Sequence, residues 1–124
     1  ALMVLAEPMG TSREAVLERA LRVWKTIGSP GFPLDEDYIR AKAELSFQRR
    51  FNPAGQARQL TAILAAPSRR QALAQLDLPA LVVHGAADPL VPVEGGRDTA
   101  AHLRGAELLV IEGMGHDLPR PVWP

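Results

Sequence analysis

A carboxylate and an imidazole each follow a short apolar run near the C-terminal end of the chain. Asp88 comes after the run 80–84, and His116 comes after the run 107–111. A carboxylate that orients a histidine and stabilises its imidazolium is the acid–base half of a nucleophile–His–acid device. In such a device His116 would move the proton, and Asp88 would hold the tautomer of its ring.

The two apolar runs are predicted to be parallel strands of one β-α-β unit. Their continuous apolarity, without alternation, is typical of strands buried on both faces. A helix is predicted between them over 93–104, and Gly105 ends it. Residues 80–111 therefore have the length and order of a right-handed β-α-β unit. The loops after both strands of such a unit lie at one edge of the sheet, so Asp88 and His116 are expected to be neighbours in space.

The preceding region, from residue 11 to residue 76, has a helical pattern. Its start signals are those of N-terminal caps and capping boxes, which supply acceptors for the free amides of a first helical turn. In chain order they are Thr11 with Glu14, Asp35, Asn52 with Pro53 at the first helical position, and Ser68 with Gln71.

Composition limits the function further. The 124 residues fit one small domain, and 14 basic residues balance 14 acidic ones, which argues against a nucleic-acid partner or an anionic membrane surface. The apolar runs are too short to span a bilayer. The absence of cysteine excludes disulfides, thiolate metal sites and a cysteine nucleophile. The N-terminal segment lacks the basic flank of a signal peptide, so we expect a cytoplasmic protein.

Three segments carry a resemblance to a known family. They are 81–92 (LVVHGAADPLVP), 105–108 (GAEL) and 113–119 (GMGHDLP). Together they resemble the C-terminal part of an α/β-hydrolase, and they are most similar to esterase and lipase-like members with a helical lid. The resemblance implies an α/β fold in which residues 1–76 form the lid and residues 77–124 belong to the core. It also implies that Asp88 is the catalytic acid, that His116 is the general base, and that no cofactor is needed.

The family's nucleophile is the feature that the sequence lacks. In chain order the nucleophile precedes the acid and the base, on a G-x-S-x-G elbow between a strand and a helix. The nearest segment is 10–14 (GTSRE), where Glu14 occupies a position that needs a small residue. We therefore expect a C-terminal fragment that supplies Asp88 and His116 but no nucleophile, with the N-terminal half of the same protein as its partner. In isolation it is expected to be inactive, and the bare edge of its sheet is expected to favour self-association.

Three functions are compatible with this pair. The preferred one is a hydrolase that acts on small-molecule carboxylic esters by a Ser-His-Asp mechanism. An alternative replaces Ser with Asp, as in haloalkane dehalogenases and epoxide hydrolases, and a third is a non-catalytic α/β-hydrolase-like binding protein. The residue at the elbow would separate the three.

The remaining polar and aromatic residues have simpler interpretations. Asp117 could rival Asp88 as the partner of His116, although adjacent residues seldom face each other. His84 lies within a strand, which favours a core or supporting role, and the spacing of the histidines matches no metal motif. The aromatic residues Trp24, Tyr38, Phe47 and Phe51 indicate helix packing or, alternatively, an acyl pocket.

Overall fold

The computed structural model describes residues 2–8 and 10–124, in which helices precede a small parallel sheet. The elements in chain order are α1 (Leu2–Ala6), α2 (Arg13–Ile27), α3 (Glu36–Arg49), α4 (Pro53–Ala65), α5 (Arg70–Leu73), β1 (Leu81–Gly85), α6 (Val93–His102), β2 (Glu107–Ile111) and a final 3-10 turn (Arg120–Val122). The expected α/β class and the β-α-β order of the last elements are confirmed.

Side-chain caps fix where the longer helices begin. Asp35 Oδ1 accepts from the amide of Tyr38 at 2.9 Å, and Asn52 Oδ1 accepts from that of Gly55 at 3.1 Å, so both of these predicted caps are confirmed. The predicted cap at Thr11 is wrong, because Ser12 is the N-cap of α2 and its Oγ accepts from the amide of Ala15 at 3.2 Å.

The predicted capping box at Ser68 is also wrong. Helix α5 begins only at Arg70, and Ser68 Oγ reaches the amide of Arg70 at 3.5 Å, which is too long for a strong hydrogen bond. An ion pair instead holds the segment in place, because Arg70 Nη2 lies 2.8 Å from Asp98 Oδ1 on α6.

Helices α2 and α3 form the packed centre of the helical region. Their buried apolar side chains are those of Leu21, Val23 and Ile27 in α2 and of Ile39 in α3. Exposed ion pairs join the same two helices at their surface. Arg13 Nε lies 2.6 Å from Glu44 Oε2, and Lys25 Nζ lies 2.7 Å from Glu36 Oε1.

Arg19 is a buried cation that stabilises the start of the chain. Its guanidinium donates to the backbone oxygens of Val4, Leu5 and Glu7, at distances from 2.9 to 3.4 Å. Carbonyl groups at the end of a helix lack partners within it. Arg19 therefore holds α1 against α2 by satisfying them.

The sheet pairs β1 with β2 in parallel, in a register that runs from Leu81 opposite Glu107 to Gly85 opposite Ile111. Helix α6 connects the strands and packs on them. The expectation that both faces of the strands are buried is wrong, because Leu81 is 60% exposed and Leu109 is 47% exposed. Within the described residues only two strands form the sheet, which leaves each with one unpaired edge. The face opposite α6 is therefore largely open.

None of the helices in the described ranges combines the length and the apolarity that crossing a membrane requires.

Candidate active site

Asp88 is held in a tight turn directly after β1. Its Oδ1 accepts from the amides of Leu90 and Val91 at 2.8 and 2.9 Å, and its side chain is only 5% exposed. These two bonds occupy one carboxylate oxygen and fix the plane of the group. The other oxygen, Oδ2, is thereby directed at His116.

His116 lies in the loop after β2, and its Nδ1 is 2.8 Å from Asp88 Oδ2. Because an ionised carboxylate can only accept, this hydrogen bond assigns the proton to Nδ1 and leaves Nε2 as the basic nitrogen of the neutral ring. Nε2 has no hydrogen-bond partner within the described part of the chain, and the side chain is 37% exposed. The two strands thus bring together the residues that the sequence singled out. The bond has the geometry by which a carboxylate orients a general base.

The environment of Asp88 favours its ionised form. Burial alone would raise its pKa, but this is outweighed by the hydrogen bonds from the amide of Val91, from His116 and from the amide of Leu90. The result is a pKa for Asp88 below its ordinary value. A carboxylate that stays charged can stabilise an imidazolium when His116 takes up a proton.

His84 supports the turn of Asp88 from the strand side. Its Nε2 donates to the backbone oxygen of Val91 at 2.9 Å and lies 3.8 Å from Asp88 Oδ2. Gly96 of α6 packs directly on this ring, since a Cβ added to Gly96 would lie 2.7 Å from His84 Nδ1. His84 therefore helps to hold the turn that carries Asp88, and the glycine explains how α6 can approach so closely.

The backbone of the His116 loop is fixed by the segment that follows α2. The amide of His116 donates to the carbonyl of Ile27 at 2.8 Å, and the amide of Gly31 donates to the carbonyl of Gly113 at 2.9 Å. Gly115 packs against the backbone of Gly28, where any Cβ would overlap the Gly28 carbonyl oxygen. The loop therefore depends on a region that lies more than 80 residues earlier in the sequence.

Ser29 completes this contact with its side chain. Its Oγ accepts from the amide of Gly115 at 2.9 Å and donates to Asp117 Oδ1 in a short hydrogen bond. Asp117 is therefore turned toward Ser29, while Asp88 is the carboxylate bonded to His116. The sequence gives no signal for this role of Ser29, because nothing local to GSPG indicates a partner so far along the chain.

A cavity of about 650 Å³ opens beside His116. Residues of α2, of α3 and of the C-terminal segment line it, including Trp24, Tyr38, Lys42, Arg120 and Trp123. Trp24 and Tyr38 line this cavity, and an acyl pocket there stays a prediction. Phe47 and Phe51 lie outside its lining and pack on each other with ring centroids 5.3 Å apart.

The described residues place no hydroxyl where a nucleophile would stand. Ser12 caps α2, Ser29 is bonded to Gly115 and Asp117, and no described Ser or Thr side chain hydrogen-bonds His116. In the same part of the chain, no group of three or more His, Asp or Glu side chains is arranged to hold a metal ion. Within the described residues, the pair of Asp88 and His116 therefore has no hydroxyl group bonded to it.

Sequence comparison relates this chain to a protein family and to curated enzymes. Residues 57–121 match the sequence profile of the TAP-like protein family. Over 98% of its length the chain is 32% identical to rhodomycin D methylesterase DauP of Streptomyces sp. (strain C5) and 30% identical to rhodomycin D methylesterase DnrP of Streptomyces peucetius. The chain spans 40% of the length of these curated relatives.

Solved structures show the same fold at lower identity. The esterase RhEst1 from Rhodococcus sp. ECU1013 superposes over 98% of this chain and 42% of its own, with a TM-score of 0.65 and 18% identity. A serine hydrolase involved in carbazole degradation, the CarC enzyme, superposes over 90% of this chain and 42% of its own, with a TM-score of 0.54 and 19% identity.

Proposed function

The chain belongs to the α/β-hydrolase family, with its match among the TAP-like proteins, and from that premise we propose that it carries the acid and the base of a carboxylic ester hydrolase. Asp88 is the acid and His116 is the general base. A serine from outside these 124 residues is the nucleophile. The observation that carries the proposal is the 2.8 Å bond between His116 Nδ1 and Asp88 Oδ2, with the opposite ring nitrogen left without a partner in the described chain.

The chemistry follows from the two nitrogens of His116. Nε2 takes the proton of the serine hydroxyl while the serine oxygen bonds to the ester carbonyl carbon. When the tetrahedral intermediate collapses, the bond to the leaving alkoxide breaks and Nε2 returns the proton to that oxygen. Water then attacks the acyl carbon while Nε2 takes up its proton. Collapse of this second intermediate breaks the bond between the acyl group and the serine oxygen, releases the carboxylic acid, and returns the proton from Nε2 to the serine. Asp88 stays ionised throughout and stabilises the imidazolium formed in each half-reaction.

The names of the relatives support a substrate class. Both are methylesterases of rhodomycin D, so the leaving group proposed for this chain is methanol from a small-molecule methyl ester. The cavity beside His116 would hold the acid portion of that ester. No cofactor enters this scheme, because proton transfer and covalent catalysis are both carried out by side chains.

We also propose separate roles for the two parts of the chain. Residues 1–76 form a helical lid, and residues 77–124 belong to the hydrolase core, whose remaining strands pair with the open edge of the sheet. The lid also has a supporting role, since the segment after α2 is bonded to the His116 loop. The nucleophile and its oxyanion donors come from the N-terminal half, and the 124-residue chain alone has little or no hydrolase activity.

The first test compares the 124-residue chain with the product of the same gene extended upstream of the Ala1 codon, wherever the reading frame continues. We expect turnover of a methyl ester only in the longer protein. There Asp88→Asn should lower kcat by about a thousandfold or more, since the loss of the acid leaves His116 in the wrong tautomer. The matched control is His102→Gln, because the His102 ring bonds only within α6. Turnover by the short chain, or full activity of Asp88→Asn, would contradict the assignment.

The identity of the nucleophile is tested by covalent labelling of the longer protein. A fluorophosphonate should modify one serine on a strand–helix elbow, and His116→Gln should abolish that modification. If instead a single turnover in heavy-oxygen water labels an aspartate, the dehalogenase- or epoxide-hydrolase-like mechanism is correct. If neither residue is labelled, the non-catalytic α/β-hydrolase-like binding protein is the correct interpretation.

A further inference from the structure

The chain concentrates its polar aromatic residues in one place. It contains two tryptophans and one tyrosine, and all three side chains line the cavity beside His116. They come from three separate segments, since Trp24 lies in α2, Tyr38 in α3 and Trp123 after the 3-10 turn. Tyr38 is 37% exposed and Trp123 is 45% exposed, so neither ring is fully buried in the packed core. Core packing, the simplest interpretation of Tyr38 from the sequence, therefore does not account for this arrangement.

The aromatic walls are held in place before any ligand enters. The rings of Tyr38 and Trp123 meet edge to face, with centroids 6.1 Å apart and planes at 77°. Trp123 Nε1 donates to the backbone oxygen of Leu118 at 2.9 Å, which fixes the indole. Rings fixed in this way offer faces and edges against which a flat conjugated ligand can stack.

The charged side chains around the cavity differ in their partners. Arg120 Nε is paired with Asp35 Oδ2 at 3.1 Å, Asp117 accepts from Ser29, and His116 faces Asp88. Lys42 has no carboxylate partner among the described residues. Its ammonium nitrogen lies 5.9 Å from the ring centroids of both Trp24 and Tyr38. The ammonium group of Lys42 therefore lies beside the aromatic walls and is available to an anionic group of a ligand.

We infer that this cavity selects an aromatic ester that also carries an anionic oxygen, a carboxylate or a phenolate. This inference rests on the proposed function and names its substrate class. The ring system lies against Trp24, Tyr38 and Trp123, the anionic oxygen faces Lys42, and the ester carbonyl is directed toward His116. The volume of about 650 Å³ is within the range of small-molecule pockets, about 300–1,000 Å³.

The inference is tested by equilibrium binding to the full chain, with no turnover required. The main probe is the monomethyl ester of a naphthalene dicarboxylic acid, which has both the aromatic rings and the anion. Its dimethyl ester removes the charge, and the monomethyl ester of the corresponding saturated decalin dicarboxylic acid removes the aromaticity. Because the chain has only two tryptophans, proton–nitrogen correlation NMR shows two indole signals, and both belong to this cavity.

The monomethyl naphthalene ester is expected to shift both indole signals and to bind roughly tenfold more tightly than the saturated probe, because aromatic pairs gain energy beyond their buried area. It should bind roughly two- to fivefold more tightly than the dimethyl ester, as expected for one exposed charge pair. Equal affinity for the aromatic and saturated probes, or indole signals that do not move, would overturn the inference.

Variants of Lys42 test the anionic half separately. Lys42→Gln should remove the preference for the monomethyl over the dimethyl ester, and Lys42→Arg should retain it. Arg40→Gln is the matched control, since Arg40 is an exposed cation on the same helix outside the cavity lining. A preference unchanged in Lys42→Gln would overturn the role of Lys42. A failure of the proposed function gives a different result. In that case the longer protein binds the probes selectively but does not hydrolyse them, which contradicts the assignment as an enzyme and still supports the ligand class.

Discussion

Ser29 and Asp117 are joined by a short hydrogen bond although 88 residues separate them. The same Ser29 oxygen accepts from the amide of Gly115, and the amide of His116 donates to Ile27 at the end of α2. The residues on both sides of the His116 imidazole are thus bonded to one turn of the helical region. This turn therefore fixes the position of His116 as directly as the strand that precedes it.

Loss of the Ser29 hydroxyl should make the position of His116 less well fixed. Ser29→Ala leaves the amide of Gly115 and the carboxylate of Asp117 without their partner, which should lower the free energy of unfolding by about 1–3 kcal/mol. The His116 Nδ1 proton, observable by NMR while it is bonded to Asp88, should exchange faster with water. Ser29→Thr keeps the hydroxyl and should restore both properties.

Thr26→Ala is the control for this substitution. The Thr26 hydroxyl is exposed and donates only to the carbonyl of Arg22 in its own helix, so its loss should change stability by less than about 0.5 kcal/mol. Equal effects of the two alanine variants on the His116 proton would contradict a specific role for Ser29.

Adjacent glycines in α6 should respond to alanine in opposite directions. At Gly96 a Cβ would lie 2.7 Å from His84 Nδ1 and 2.9 Å from His84 Cγ, so Gly96→Ala should destabilise the chain by about 1–3 kcal/mol. At Gly95 a Cβ meets only Val91 Cγ1 at 3.4 Å, and alanine there should stabilise the helix by about 0.5–1 kcal/mol. Denaturant titration of both variants measures the difference, and a Gly96→Ala variant as stable as the parent would show that α6 can move away from His84.

The parts of the site that sequence could predict are those determined by local signals. Two apolar runs with a helix between them are enough to imply a parallel pair of strands, and the pair then brings Asp88 and His116 to one edge. The caps at Asp35 and Asn52 follow from the ability of a carboxylate and a carboxamide oxygen to accept from an amide within four residues. The predicted cap at Thr11 was wrong, because Thr11 and Ser12 are both good N-cap residues. The sequence alone does not determine which of the two begins the helix.

The contacts that depend on tertiary packing could not be predicted. The apolar runs indicated full burial, but burial is a property of the neighbours that a sheet has, and the described chain gives β1 and β2 one strand neighbour each. Gly28 and Gly115 have no local feature that relates them, and their partnership exists only because α2 packs beside the His116 loop. Two adjacent glycines are unfavourable inside a helix, and only the packed structure shows that Gly96 leaves room for the ring of His84.

Asp88 should make the stability of the chain sensitive to acid. Its folded pKa is lowered, so it contributes stability that is fully present above its unfolded value of about 3.9 and is lost as the pH falls through the folded value. Asp88→Asn should therefore flatten the decline of unfolding free energy in acid and lower stability near neutrality. Urea titrations across a pH series measure this. Asp77→Asn, at an exposed carboxylate, is the comparison, and an acid profile unchanged in Asp88→Asn would contradict the role of its hydrogen bonds.

The open sheet should make the isolated chain self-associate. Both strands have an unpaired edge within the described structure, and Leu81 and Leu109 are exposed next to it. Such an edge is a template for another chain. Light scattering across a concentration series should show a rising average mass. The double variant Leu81→Lys/Leu109→Lys should suppress this rise in mass, because charged side chains at a strand edge oppose pairing with another chain.

The control is Leu64→Lys, which removes an exposed leucine from helix α4, where no backbone edge is open. If Leu64→Lys suppresses association equally, exposed apolar side chains rather than strand edges are responsible, and a constant monomer mass would contradict the prediction outright.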